Sequence, residues 1–205
     1  MTAPRHFIDI WKMQADGNNQ TRLTTSSTDE SYPAWSPDGT QIAYIGPEFD
    51  SERDVCVMNP DGSNRHPITG IGTTEGNRVS WSSDSARIYF SSQRGPHSWW
   101  DVFVMDRDGL NVHAITNDAA ADAHAVLSPD GTRIAFCSQR DTPGFHRLFV
   151  MNEDGSGITR LTPAVNHNDG TPAWGSPCPA LTPALTDLVF ETNLNGNGDI
   201  YGAAG

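Results

Sequence analysis

The chain has 205 residues, with 25 Asp and Glu against 13 Lys and Arg and a formal net charge of −12. This balance excludes a nucleic-acid partner, whose phosphates require clustered cations. No run of about 18 apolar residues predicts a transmembrane segment. With 19 glycines and 14 prolines, the composition favours a soluble, turn-rich, all-β protein.

The N-terminus and the cysteines carry few signals. Residues 1–11 lack the apolar centre of a secretory signal, so we expect no leader in this sequence. Cys56 and Cys137 fall on predicted strands and are expected to be buried apolar residues, while Cys178 stays unassigned.

The first recurring pattern in chain order is an apolar run that ends in Met-x-x-Asp-Gly. It occupies residues 9–17, 54–62, 101–109 and 147–155, and each copy is followed by a short segment that closes on Leu-Thr or Ile-Thr. The Asp-Gly pair predicts a tight turn between two strands.

A second pattern alternates with the first and begins at Trp35-Ser-Pro-Asp-Gly-Thr. Residues 35–44 and 128–136 carry it closely, residues 81–90 more loosely, and residues 174–190 in a stretched form. Proline presets φ and Asp-Gly supplies the reversal, so this unit is also a hairpin. The substitution of Ser83 and Ser85 for the proline and glycine predicts a looser turn there.

The two hairpins together make a unit of four strands, A (33–36), B (41–45), C (54–58) and D (65–69). A unit of this length is typical of a β-propeller blade. Successive apolar residues, as at 134–137, predict that strand B is buried on both faces.

Counting strands gives the expected architecture. We predict one β-propeller domain over residues 1–205, with repeats near 9–53, 54–100, 101–146 and 147–198 and a partial repeat at 199–205. The chain begins with strands C and D and ends with A and B, so pairing of its terminal strands would close four antiparallel blades and leave no long open edge. The segment 199–201 would compete for the same edge.

These repeats resemble those of the TolB-like β-propeller family, most closely at 33–44, 54–62 and 125–155. The resemblance implies a propeller fold, and similar propellers serve as periplasmic scaffolds of the Tol-Pal system, as gating domains of peptidases and as bodies of polysaccharide lyases. It therefore implies a periplasmic or extracellular location, or a cytoplasmic one if the chain is complete as given. The family scaffold has six blades and an additional N-terminal domain, so this chain could also be a fragment of a larger protein.

Antiparallel strands place the stereotyped Asp-Gly turns at one end of the fold and the variable B-to-C and D-to-A loops at the other. Variable loops on a rigid scaffold commonly carry binding, and these loops are acidic and aromatic. The candidate binding residues are Glu30, Tyr32, Arg78, His97, Trp99, Trp100, Asp122, His124, His167 and Asp169.

Residues just before strand A are expected to approach the propeller axis. The residues five places before positions 35, 81, 127 and 174 are Glu30, Gly76, Asp122 and Asp169. The residues three places before the same positions are Tyr32, Arg78, His124 and Thr171. The three carboxylates could hold a cation in the channel or a basic side chain of a partner, or they could form a solvated rim. No other cofactor and no metal-binding motif is predicted.

Two adjacent tryptophans mark the B-to-C loop after residue 96. We expect Trp100, beside strand C, to pack between blades and Trp99 to offer a stacking surface. No catalytic motif is recognisable.

The sequence thus favours a non-catalytic binding module whose partner is a protein with a basic surface or a carbohydrate. A nucleic-acid partner is not expected. The alternative is a small carbohydrate lyase or hydrolase that uses Arg78, His124 and His167 at the channel mouth.

Overall fold

A computed structural model describes residues 7–47, 53–70, 75–96, 99–141, 143–163, 168–169, 171–174 and 187–192. Every regular element in these ranges is a β-strand, and no helix in them is long and apolar enough to cross a bilayer. The strands are β1 (Asp9–Gln14), β2 (Thr21–Arg22), β3 (Ser31–Trp35), β4 (Ile42–Gly46), β5 (Asp54–Met58), β6 (His66–Pro67), β7 (Glu75–Trp81), β8 (Arg87–Ser92), β9 (Asp101–Asp106), β10 (His113–Ala114), β11 (Asp122–Leu127), β12 (Arg133–Ser138), β13 (Arg147–Asn152), β14 (Thr159–Arg160) and β15 (Asp187–Thr192).

The strands form antiparallel sheets that follow the predicted repeat. The first sheet is β3-β4-β5-β6, the second β7-β8-β9-β10 and the third β11-β12-β13-β14, each with the A, B, C, D order of the sequence. A fourth antiparallel sheet has the order β15-β1-β2 and is called the mixed sheet here because its strands come from distant parts of the chain. In it, β1 pairs with β15 from Asp9 opposite Thr192 to Gln14 opposite Asp187. The outer D strands are two residues long, shorter than the predicted 65–69.

The core lies between successive sheets. One cluster joins β4 and β5 to the second sheet through residues such as Ile45, Val57 and Phe90, and another joins β8 and β9 to the third sheet through Tyr89 and Phe136. A third cluster joins Ile10 and Leu23 of the mixed sheet to the first. Every residue of β4 and β5 is buried, which confirms the prediction of burial on both faces.

The repeated turn residues hold neighbouring sheets together. Gly109 has φ +83°, and a Cβ there would lie 2.2 Å from the carbonyl oxygen of Ile68 in the preceding sheet, so this turn requires glycine twice over. The Trp81 indole donates to the Ala34 carbonyl at 3.1 Å, again across a sheet boundary. The Asp-Gly and Trp-Ser motifs are therefore contacts between sheets as well as turns within them.

The two cysteines predicted to be buried are buried. Cys56 and Cys137 are free thiols within the sheets, and burial raises the pKa of Cys137 to about 11. Cys178 and the segment 199–201 lie outside the described residues.

Candidate functional site

One acidic residue begins strand A of each repeat at the loop end of the sheets. The backbone amides of Glu30, Glu75, Asp122 and Asp169 donate to the carbonyl oxygens of Ile8, Arg53, Trp100 and His146, at 2.9, 2.8, 2.7 and 3.0 Å. Each acceptor stands directly before strand C of the preceding repeat, so the four acids occupy equivalent positions.

Counting back from the strand-A tryptophan selects Gly76 in the second repeat, whereas the structure places Glu75 at the equivalent position. The reason is an irregularity in register. Strands β3 and β11 each carry one extra residue relative to their partners, between Ser31 and Ala34 and between Ala123 and Val126, but β7 carries two, between Glu75 and Val79.

Arginines compensate two of these acids. Arg140 lies 2.7 Å from Asp122 and 3.1 Å from Asp118, its Nε donates to Ser138 Oγ at 2.9 Å, and its guanidinium lies 5.2 Å from the ring centre of Phe136. Burial nevertheless raises the pKa of Asp122, against the lowering effect of Ser138 and Arg140.

The second sheet repeats this arrangement. Arg94 pairs with Glu75, its Nε donates to Ser92 Oγ at 3.1 Å, and it lies over Phe90. Sequence reasoning missed these arginines, although Ser-Gln-Arg follows strand B at both 92–94 and 138–140.

Among the described residues, Glu30 has no arginine partner of this kind. In the sequence, Gly46 and Glu48 stand where the second and third repeats have the serine and the arginine, and a Cβ on Gly46 would lie 3.1 Å from Glu30 Cγ. Glu30 is 1% exposed; its Oε1 accepts hydrogen bonds from Ser26 and Thr28, while Oε2 has no hydrogen-bond partner in the described part of the chain. Burial raises its pKa, and the charge of Asp9 adds to the rise.

The carboxylates at these positions are buried or paired, and their convergence on one channel stays a prediction. Glu30 and Asp122 are buried rather than part of a solvated rim, and Asp169 pairs with Arg147 at 3.7 Å. Among the described residues, no three His, Cys, Asp or Glu side chains are grouped so that they could hold a metal ion.

A second set of equivalent positions carries Tyr32, Arg78 and His124. All three have left-handed backbone, with φ of 55°, 134° and 59°, at the register irregularities of β3, β7 and β11. Arg53 lies over the Tyr32 ring at 5.7 Å, and Arg78 Nη1 donates to the Pro172 carbonyl at 2.9 Å.

The two adjacent tryptophans have different surroundings, and the contact described for Trp100 is within its own sheet and not between blades. A Cβ on Gly76 would lie 2.9 Å from the Trp100 ring, so Trp100 packs against the backbone of β7, at the start of its own sheet. Trp99 is 52% exposed and lines a cleft of about 500 Å³. The other lining residues are Asp118, Ala119, Ala120, Ala121, Gln139, Arg140, Pro143 and Gly144. His97 and His167 lie outside the described residues.

The comparisons with known proteins agree on one family. The family model of the TolB beta propeller domain matches residues 5–177. The Tol-Pal system protein TolB of Anaeromyxobacter sp. (strain K) is 33% identical over 131 residues, which cover 60% of this chain and 28% of the relative. The chain thus spans less than a third of the length of this curated relative.

Solved structures give the same fold. TolB from Acinetobacter baumannii superposes with a TM-score of 0.63 at 20% identity, covering 97% of this chain and 53% of that one. Oligogalacturonate lyase from Vibrio parahaemolyticus superposes with a TM-score of 0.56 at 14% identity, covering 77% and 46%. At these identities the likeness shows the fold alone, but the match of the family model covers most of the sequence. The chain belongs to the TolB β-propeller domain family.

Proposed function

We propose that the chain is a non-catalytic binding module that captures a protein partner at the cleft beside Trp99. The observation that carries this proposal is that the half-exposed Trp99 indole lines a cleft together with Arg140, which is fixed by two ion pairs. Tryptophan exposes a large rigid surface at little cost in conformational entropy, and it is enriched among the residues that dominate binding energy.

The cleft is preorganised by the ion pairs beneath it. Arg140 ties the D-to-A loop at Asp118 to the start of β11 at Asp122, and the backbone amide of Gln139 donates to the Ala121 carbonyl at 3.2 Å. A surface that is already ordered loses little entropy on binding. The net charge of −12 favours a partner with a basic surface.

The relatives suggest which partner to test. Several are proteins of the Tol-Pal system, so we propose a periplasmic role and a partner from that system. The soluble domain of the Pal protein from the same source is the appropriate probe.

Binding of that domain should be measured by calorimetry for the wild type, Trp99→Ala and Leu110→Ala. We expect Trp99→Ala to weaken binding at least tenfold, because a central indole contributes about 2 kcal/mol or more. Leu110 is the matched control, since it is 62% exposed and follows the Asp-Gly turn of the opposite end. Absence of binding by the wild type, or equal losses in both variants, would refute the proposal.

A carbohydrate-active enzyme is the second candidate. The observation that favours it is the placement of Arg78 and His124 at equivalent positions on adjacent strands, since a base and a cation are what a lyase of uronic-acid polymers requires. A screen of acidic polysaccharides distinguishes the two. Cleavage that is lost in His124→Ala, in a variant that still folds, would establish the enzyme, and no cleavage is expected of a binding module.

A further inference from the structure

The inner strands β3, β7 and β11 present one polar side chain each from a backbone conformation that side chains rarely adopt. Tyr32, Arg78 and His124 are all left-handed, at a cost of order 1 kcal/mol or more for each residue. All three positions have positive φ although their side chains differ, so the positive φ belongs to the register irregularity and not to any one residue. The irregularity thus places a phenol, a guanidinium and an imidazole at equivalent positions of three strands.

Arg78 has no carboxylate partner among the described residues. Its guanidinium donates one of its five N–H groups to the Pro172 carbonyl. Arg94, in contrast, pairs with Glu75, and Arg140 pairs with both Asp118 and Asp122.

The position of Arg78 is half-buried, and burial lowers its pKa because the charged form loses solvation. Arginine remains protonated in proteins, so an anion bound at this position would offset part of the cost of desolvation. Arg78 is open enough to be reached by one, and Tyr32 on the neighbouring strand is 37% exposed.

We infer that Arg78, flanked by Tyr32 and His124, binds a carboxylate. The planar fork of a guanidinium matches a carboxylate through two parallel hydrogen bonds. Asp169 lies close enough to Cys137 to influence it, as does Arg78, and the chain carries a net charge of −12. Negative charges repel a phosphate dianion more strongly than a monovalent carboxylate, so they favour the carboxylate. The carboxylate comes from a uronic acid or from a peptide.

Acetate and acetamide are the first probes, because they have nearly the same shape and differ in charge. Each is titrated into protein labelled with ¹⁵N-arginine at constant ionic strength, and the Nε–H resonance of Arg78 is followed. Acetate should shift the resonance to saturation at millimolar concentration, and acetamide should not. D-glucuronate and N-acetylglycine then separate the two sources, since the tighter ligand identifies the carboxylate that the site accepts.

Two variants keep the inference falsifiable. Arg78→Gln should weaken binding of the better carboxylate at least tenfold by calorimetry, while Arg133→Gln, an exposed arginine on β12, should leave it unchanged. If Arg78→Gln fails to fold, Arg78→Gly gives the same test in a residue that adopts φ of 134° readily. No saturable shift with acetate, an equal shift with acetamide, or undiminished binding after loss of Arg78 would overturn the inference.

Discussion

Glu30 and Asp122 occupy equivalent positions in two repeats, but their carboxyl groups have different partners. Both carboxyl groups are buried at the start of strand A, and burial raises the pKa of both. Asp122 has Arg140 at 2.7 Å, whereas Glu30 is offered the hydroxyls of Ser26 and Thr28. The difference accompanies a change in sequence, since Gly46 and Glu48 stand where the second and third repeats have serine and arginine.

Glu30→Gln should therefore stabilise the fold at neutral pH. A carboxyl group whose folded pKa lies above its unfolded pKa favours folding below the unfolded value and loses that contribution as pH rises through the folded value. We expect Glu30→Gln to match the wild type near pH 4 and to exceed it by about 1 kcal/mol at pH 7. Urea unfolding at both values measures this.

The Asp9–Arg22 ion pair, at 2.5 Å, also faces this group and is present in both proteins. A loss of stability in Glu30→Gln at pH 7 would show that the carboxylate is charged and compensated.

Asp122→Asn is expected to act in the opposite direction. Arg140 would keep only the half-exposed Asp118 as a charged partner, and an under-compensated buried cation costs about 3 kcal/mol. The same urea series at pH 7 measures the cost. An effect below about 0.5 kcal/mol would mean that Asp118 alone satisfies Arg140.

At the scale of elements, the A-to-B turn keeps its geometry even where its sequence has diverged. Ser82 Oγ donates to Asp84 at 2.5 Å and the Ala86 amide donates to Asp84 at 3.0 Å, as Ser36 and Thr40 do to Asp38. Ser85 adopts φ of 60° where the turns of the first and third sheets have Gly39 and Gly131. The looser turn predicted from the sequence is not observed.

Ser85 is retained in this strained conformation because its hydroxyl joins two sheets. It accepts the Asp38 amide at 3.0 Å. Ser85→Ala keeps the strain and leaves that amide without its acceptor, so we expect a loss of about 1–2 kcal/mol. Ser85→Gly loses the same bond but relieves the strain, which should leave stability within about 0.5 kcal/mol of the wild type.

Chemical unfolding of the two variants gives the comparison. Equal losses would mean that the conformation at residue 85 carries no strain.

At the scale of the whole molecule, the pairing of β1 with β15 joins the two ends of the chain. That the sheets form a closed ring of four blades stays a prediction, and it implies a monomer. Val189→Pro fixes φ in the middle of β15, opposite Lys12, which should disrupt the pairing of β15 with β1 and free the edge of β1 for pairing between chains.

Light scattering after size exclusion measures the outcome, with oligomers expected for Val189→Pro and a monomer for the wild type. Ala15→Pro is the control, because Pro60 stands at the same position in the turn that follows β5 of the first sheet. A monomeric Val189→Pro would show that β15 does not protect this edge.

The repeated motifs predicted most of the fold because each carries its own local physics. Met-x-x-Asp-Gly and Trp-Ser-Pro-Asp-Gly fixed the strand order, and the apolar run at 134–137 indicated burial on both faces. The site was less predictable, because it depends on register. Counting back from Trp81 selects Gly76 in place of Glu75, because the second extra residue of β7 has no signature in a single sequence. The hydrogen-bond partners of Glu30 depend on how the preceding loop folds back.

The long separation between β1 and β15 also determines how the molecule must be made. β1 is synthesised before the other described strands, and its partner β15 after them. During synthesis β2 is the first of its described partners available to β1, and it pairs over two residues, while the first three sheets can form from neighbouring segments. Contacts between distant segments form late and slowly. We therefore expect refolding to end in a slow phase in which the mixed sheet assembles, and a nascent chain to expose the edge of β1 until β15 is available.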